Sequence, residues 1–167
     1  MTDGLWDEIL AANAAYAERF PYAGMEPLPG RRLAVVTCMD ARIDPLQVFG
    51  LRVGDAKILR NAGGRASTDA IRSLAVAVHV LGVRRIALAQ HTRCGMASRT
   101  AEEFQQLVGE ATGADASFVD FMAIGPDQER CVRDDVARLR ESPLLPESVD
   151  VAGFLYDVDD GRLRRLC

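Results

Sequence analysis

Two short clusters in the sequence combine side chains that can act as metal ligands. Cys38-Met-Asp-Ala-Arg42 contains a thiol and a carboxylate, and His91-Thr-Arg-Cys94 contains an imidazole and a second thiol. This donor set matches tetrahedral zinc and suits copper or an iron–sulfur cluster less well. Either cluster alone is weak evidence, because cysteines are commonly buried as small apolar residues. Together they predict a metal site.

Asp40 and Arg42 add a second possibility to this site. Arg42 lies two residues after Asp40, so its guanidinium can compete with a metal ion for the same carboxylate. On the metal, Asp40 would close the site as a fourth ligand; paired with Arg42, it would leave a coordination position for water, as a catalytic zinc requires. We therefore take Asp40 and Arg42 as candidate catalytic residues. Without the neighbouring ligands, the same two residues would be an ordinary structural ion pair.

Predicted strands precede both clusters. Residues 32–37 and 85–90 are short continuous apolar runs, typical of strands covered on both faces, and residues 57–60 predict another strand between them. Binding sites in parallel sheets lie where the strands end. If the two strands are parallel neighbours, the clusters converge at one edge of the sheet.

The remaining segments predict an α/β fold. Helical patterns cover residues 5–20, 67–81, 100–110 and 127–139, and residues 151–158 and 162–166 predict a hairpin. This alternation favours three layers, a mostly parallel central β-sheet flanked by helices, with an antiparallel edge from the hairpin. We expect a single domain over residues 1–167, with residues 1–30 as an N-terminal helical arm and linker and residues 31–167 as the α/β core.

Composition excludes several classes of partner. The 167 residues carry a net charge of -4 at pH 7, which gives no general attraction to nucleic acid or anionic lipid. No apolar run approaches the roughly 20 residues of a membrane span, and the N-terminus is acidic where a signal peptide would be basic. We expect a cytoplasmic protein with reduced cysteines. Cys131 and Cys167 lack ligand spacing and His79 lies in an apolar helical run, so all three stay outside the predicted site.

Three motifs in this order and spacing resemble those of the β-carbonic anhydrase family, which includes a carbonyl sulfide hydrolase group. They are Cys38-Met-Asp-Ala-Arg42, Arg60-Asn-Ala-Gly-Gly64 and His91-Thr-Arg-Cys-Gly95. The resemblance implies one Zn²⁺ per subunit on Cys38, His91 and Cys94, with Asp40 either on the metal or paired with Arg42. It also implies that Ala62, Gly63 and Gly64 line the substrate pocket, and that the N-terminal helix pairs with a partner subunit in a homodimer or higher homo-oligomer.

The same resemblance implies reversible hydration of CO2 to bicarbonate and a proton by zinc-bound hydroxide. Two alternatives stay open: hydrolysis of carbonyl sulfide to CO2 and hydrogen sulfide at the same zinc site, with carbon disulfide as a related substrate, and a catalytically silent zinc-binding homologue. One departure from the family pattern is Arg93, where many relatives carry an acidic or small residue. Its cation would either change the potential at the metal or point into solvent.

Overall fold

One mostly parallel sheet forms the centre of the computed structural model, which describes residues 4–167. Its strands are β1 (Leu33–Cys38), β2 (Ala56–Asn61), β3 (Arg85–His91), β4 (Asp150–Tyr156) and β5 (Leu163–Arg165). Their order across the sheet is β2-β1-β3-β4-β5. The pairings among β1 to β4 are parallel, and β5 pairs antiparallel to β4. The predicted sheet with an antiparallel edge is confirmed.

Helices connect and cover these strands. They are α1 (Leu5–Ala17), α2 (Pro45–Val48), α3 (Thr68–His79), α4 (Ala101–Thr112) and α5 (Gln128–Arg140). Helix α1 is three residues shorter than predicted, and α3 ends at His79 rather than at residue 81. The single-turn helix α2 was not predicted, although Asp44 caps it by accepting hydrogen bonds from the amides of Leu46 and Gln47.

Helices α3 and α5 cover one face of the sheet. They bury it with apolar side chains that include Leu74 of α3 and Val136 of α5, which belong to the same buried cluster as Leu88 of β3. The approach of α5 is close because β4 has a glycine there: a Cβ on Gly153 would lie 2.7 Å from Val132 Cγ1. This face is the main core of the described chain.

The opposite face is covered less completely. Helix α2 and the segment after it bury Val35 and Ala87, and the ring of Phe49 meets that of Phe154 edge-to-face at 5.8 Å. Phe154 itself remains half-buried. No residue of α1 is buried, so the apolar side chains of this helix are uncovered within the chain. Over residues 4–167, no helix has the length and apolar character needed to cross a bilayer.

Candidate metal centre

The ends of β1 and β3 bring the three predicted thiol and imidazole ligands together. Cys38 is the last residue of β1 and His91 the last of β3, and these strands are parallel neighbours. The ligand atoms of Cys38, His91 and Cys94 all lie within 4.8 Å of one another, and all three residues are buried. The two sulfurs are 3.9 Å apart. This geometry can hold one metal ion.

The imidazole of His91 presents a free lone pair to this cluster. Its Nδ1 lies 2.9 Å from the carbonyl oxygen of Thr92, so Nδ1 carries the proton and donates it. Nε2 is then the unprotonated nitrogen, and among the described residues it is a buried atom with no hydrogen-bond partner. A buried polar atom without a partner is costly. A metal ion at the cluster would satisfy it, since ligating histidines characteristically donate through their other nitrogen.

The thiols of Cys38 and Cys94 are hydrogen-bonded to each other, with their sulfurs 3.9 Å apart. The hydrogen bond between them lowers the pKa of Cys38, and the same contact, together with burial, raises the pKa of Cys94. Backbone amides of Asp40 and Gly63 also favour the Cys38 thiolate. Because metals bind thiolates, the lowered pKa of Cys38 favours its role as a ligand, and binding of a metal by both thiols would release protons.

Asp40 is paired with Arg42. Arg42 Nε donates to Asp40 Oδ1 at 2.9 Å and Nη2 donates to Oδ2 at 2.7 Å, while the Arg42 amide also donates to Oδ1 at 2.9 Å. These hydrogen bonds hold the pKa of Asp40 well below its ordinary value. Asp40 Oδ2 remains 3.8 Å from His91 Nε2. Of the two arrangements considered from the sequence, the structure has the one in which the carboxylate is drawn to the guanidinium.

Arg60 contributes to this site in a way that sequence reasoning missed. Its Nε donates to the carbonyl oxygen of Cys38 at 3.0 Å, and its Nη2 donates to that of Asp40 at 2.6 Å. One guanidinium thus fixes the backbone on both sides of Met39. The only signal in the sequence was the position of Arg60 at the head of the Arg-Asn-Ala-Gly-Gly motif.

A cavity of about 370 Å³ adjoins the cluster. Cys38, Asp40 and Cys94 line it, together with Ala62 and Gly63 from the turn after β2; the other lining residues are Met39, Gly95, Met96, Ser98, Arg99 and Phe104.

Gly64 is not among the lining residues of this cavity. It has a φ of +65°, and a Cβ there would lie 2.9 Å from both the carbonyl oxygen of Ala89 and the amide nitrogen of Cys38. Its place is between the backbones of β1 and β3, where only glycine fits.

Arg93 points its side chain away from the cluster. Its guanidinium pairs with Asp159 of the β4–β5 turn at 2.6 Å, and both side chains are more than half exposed. Its backbone has a φ of +54°, and its carbonyl oxygen accepts a hydrogen bond from Arg42 Nη2 at 3.2 Å. The link of Arg93 to the site is therefore through its backbone.

A parallel sheet with two cysteines and a histidine at its strand ends defines an α/β protein with a candidate metal centre. Residues 33–163 match the family model for carbonic anhydrase. The chain is 35% identical over 161 residues to beta-carbonic anhydrase 1 of Mycobacterium tuberculosis, covering 96% of each chain. The structure of a carbonic anhydrase from Streptococcus mutans matches with a TM-score of 0.93 and 41% identity, over 100% of both chains.

A relative with a different name also matches nearly the whole chain. It is a carbon disulfide hydrolase of Acidithiobacillus thiooxidans, 30% identical in an alignment that covers 96% of this chain and 85% of that protein. From the family match and the level of identity, the chain belongs to the β-carbonic anhydrase family.

Proposed function

We propose that this protein is a zinc enzyme that reversibly hydrates CO2 to bicarbonate and a proton. The observation that carries the proposal is the arrangement of four side chains. The ligand atoms of Cys38, His91 and Cys94 gather within 4.8 Å, while Arg42 binds both carboxylate oxygens of Asp40 beside them. Three ligands beside a small cavity are what a catalytic zinc needs, because its fourth position must stay open.

The residues present fit zinc. Cys38, His91 and Cys94 would hold the ion, and the unpartnered Nε2 of His91 would gain a bond. Two thiolates and one neutral imidazole are a known ligand set of catalytic zinc. A zinc ion there would supply the Lewis acidity that lowers the pKa of water towards neutrality.

Asp40 orients the attacking water in this proposal. Its carboxylate is ionised at neutral pH because the pairing with Arg42 keeps its pKa low. It can therefore accept a hydrogen bond from the water and leave a lone pair directed at the carbon of CO2. The water oxygen forms a bond to that carbon as one C=O π bond of CO2 opens onto its own oxygen, and one proton of the water leaves to solvent, which gives bicarbonate. Arg42 fixes both carboxylate oxygens and so limits the directions from which Asp40 can accept.

Hydrolysis of carbonyl sulfide or carbon disulfide is the second candidate. It is favoured by the 30% identity to a carbon disulfide hydrolase over nearly the whole chain. Both compounds are linear three-atom molecules, as CO2 is, and attack on their central carbon would release hydrogen sulfide. We place CO2 first because the carbonic anhydrases match with higher identity. The pairing of Asp40 with Arg42 argues against a silent homologue whose metal site is closed by Asp40.

We also propose a homodimer or higher homo-oligomer in the cytoplasm. The exposed apolar residues of α1 and the incompletely covered face of the sheet support association between copies. All four cysteines are free thiols, which supports a reducing compartment.

One comparative assay tests the proposed reaction. The protein is purified under reducing conditions, and its zinc content is measured alongside turnover of CO2, carbonyl sulfide and carbon disulfide from mildly acidic to alkaline pH. We expect about one zinc per chain and hydration of CO2 that exceeds release of hydrogen sulfide from the other two. Zinc without any turnover would indicate a silent homologue, hydrogen sulfide release alone would indicate the hydrolase, and a metal-free protein would overturn the proposal.

A further inference from the structure

A buried ion pair lies behind the candidate site and is not explained by metal binding. Arg65 Nε lies 2.6 Å from Asp135 Oδ2, and Arg65 Nη2 lies 3.2 Å from Oδ1. The two side chains are only 12% and 3% exposed. Burying such a pair is expensive unless the remaining donors also find acceptors. Here they do, because Arg65 Nη1 donates to the carbonyl oxygens of Met122 and, at 2.9 Å, Ala123.

The segment that accepts these hydrogen bonds has an unusual backbone. Met122 has a φ of +49°, a backbone conformation that residues other than glycine and asparagine rarely adopt. The carbonyl oxygens of Met122 and the next residue, Ala123, both accept hydrogen bonds from the guanidinium of Arg65. The structure around Arg65 therefore holds this segment in a conformation that it would not otherwise prefer.

This segment supports two walls of the cavity. The next residue, Ile124, donates its amide hydrogen bond to the carbonyl oxygen of Met96 at 2.9 Å. Its side chain packs in the buried cluster that contains Cys38 and Cys94. A Cβ on Gly63 would lie 3.3 Å from both Ile124 Cδ1 and Met96 Cβ. Ile124 therefore packs close to Gly63 and is hydrogen-bonded to Met96, and both of these residues line the cavity.

The same ion pair is also hydrogen-bonded to the end of β3, where His91 lies. Asp135 Oδ2 accepts a hydrogen bond from Gln90 Nε2 at 3.1 Å, and Gln90 is the fully buried residue before His91. On the other side, the Arg65 amide donates to Asn61 Oδ1 at 2.8 Å, and Asn61 Nδ2 donates to the Arg65 carbonyl oxygen at 2.8 Å. These bonds close the turn that presents Ala62 and Gly63.

We propose that Arg65 and Asp135 are positioning residues that hold the cavity wall and the His91 strand end in register with Cys38 and Cys94. They act through Ile124 and Gln90. A lysine at position 65 would keep the charge, but its ammonium cannot reproduce a planar fork that serves a carboxylate and two carbonyl groups. The effect on turnover rests on the proposed function, whereas the effect on the structure of the wall does not.

The test uses Arg65→Lys and Asp135→Asn in the zinc-loaded protein. We expect both variants to keep the wild-type zinc content, to lose about tenfold or more in kcat/KM for CO2, and to exchange the Ile124 amide hydrogen about tenfold faster or more. The Val36 amide in β1 should exchange at the wild-type rate. Wild-type kcat/KM together with wild-type exchange at Ile124 would overturn the proposal.

Two control variants separate positioning from loss of stability. Asp69→Asn removes the ion-pair partner of Arg72; the side chains of Asp69 and Arg72 are 76% and 70% exposed. This variant should change neither kcat/KM nor the exchange of the Ile124 amide. Leu139→Ala opens a cavity in the core on α5 and should destabilise the protein yet leave kcat/KM within about twofold at temperatures where it is folded. A loss of kcat/KM in Leu139→Ala as large as that in Arg65→Lys would assign the effect to stability and overturn the proposal.

A third variant keeps the test decisive if the ion pair cannot be altered without unfolding. Ile124→Ala leaves Arg65 and Asp135 in place and removes the side chain that packs near Gly63 and Met96. We expect a loss of kcat/KM similar to that in Arg65→Lys, at wild-type zinc content. Full activity would overturn the proposal. If the wild-type protein turns over no CO2, the proposed function fails by itself. The exchange rate of the Ile124 amide in Arg65→Lys then shows whether the Arg65–Asp135 ion pair stabilises the cavity wall.

Discussion

At the scale of single residues, Asp40 is held by one neighbour through three hydrogen bonds. Two come from the guanidinium of Arg42 and one from its amide. Arg42 is itself restrained, because its Nη2 also donates to the carbonyl oxygen of Arg93 at 3.2 Å. The carboxylate therefore stays ionised and directed, which is what an orienting acceptor requires. It does not have to bind the metal to affect the reaction.

Replacing Asp40 by alanine tests this role. We expect Asp40→Ala to retain zinc, because Cys38, His91 and Cys94 are unchanged, and to lose about 100-fold or more in CO2 hydration. Zinc content and stopped-flow hydration rates measure the two effects. Asp159→Ala is the matched control, since it removes an exposed carboxylate that pairs with Arg93 and should leave the rate nearly unchanged. Full activity in Asp40→Ala would contradict the assigned role.

At the scale of elements, the register of the sheet assembles the site. Thr37 of β1 pairs with Ala89 of β3, so Cys38 and His91 leave the sheet within about one residue of each other. A shift of one residue would turn each side chain to the other face. Helix α3 supports this register by packing Leu74 and Ala77 in the core with Val36 and Leu88.

The start of α3 gives a prediction at this scale. Ser67 Oγ accepts a hydrogen bond from the amide of Ala70 at 3.2 Å and so caps the helix. Ser67→Ala should lower the free energy of unfolding by about 1 kcal/mol. Ser73→Ala, the same change inside the same helix, should be neutral or slightly stabilising because alanine is the better helix former. Urea denaturation measures both, and equal effects would show that the cap does not contribute.

At the scale of the whole molecule, the chain leaves several large apolar side chains of α1 exposed to solvent. Trp6 and Leu10 of α1 are 70% and 66% exposed, and they lie one turn apart on the same side of the helix. The face of the sheet that carries Phe154 is also incompletely covered. Both surfaces are explained if a second copy of the chain packs against them.

A double substitution in α1 tests the proposed association. Trp6→Glu with Leu10→Glu should weaken the oligomer by about thirtyfold or more, since each carboxylate would be buried in an apolar interface. Sedimentation velocity over a range of concentrations measures this. Phe118→Glu, which changes an apolar residue that is 84% exposed outside α1, should leave the association intact. A monomeric wild-type protein, or an unchanged double variant, would contradict the role of α1.

The strands and the three-ligand cluster were within reach of sequence reasoning because their signals are local. Continuous apolar runs predicted β1 and β3, and the cysteines and histidine follow these runs directly. Helix α2 was missed because four residues show no periodicity. The ends of α1 and α3 were placed two to three residues too late because both helices stop before the proline or glycine that follows them, and helix ends are poorly marked in sequence.

The candidate ligands, their places after apolar strands and the resemblance to the family could all be inferred from the residues in order along the chain. Three features required the folded chain: Asp40 pairs with Arg42, Gly64 packs between strands outside the cavity, and Arg65 pairs with Asp135, 70 residues away. The physical reason is that periodicity and motifs report the neighbourhood of a residue along the chain. Contacts between distant residues depend on sheet register and on which buried polar groups can satisfy one another, and these are properties of the folded chain.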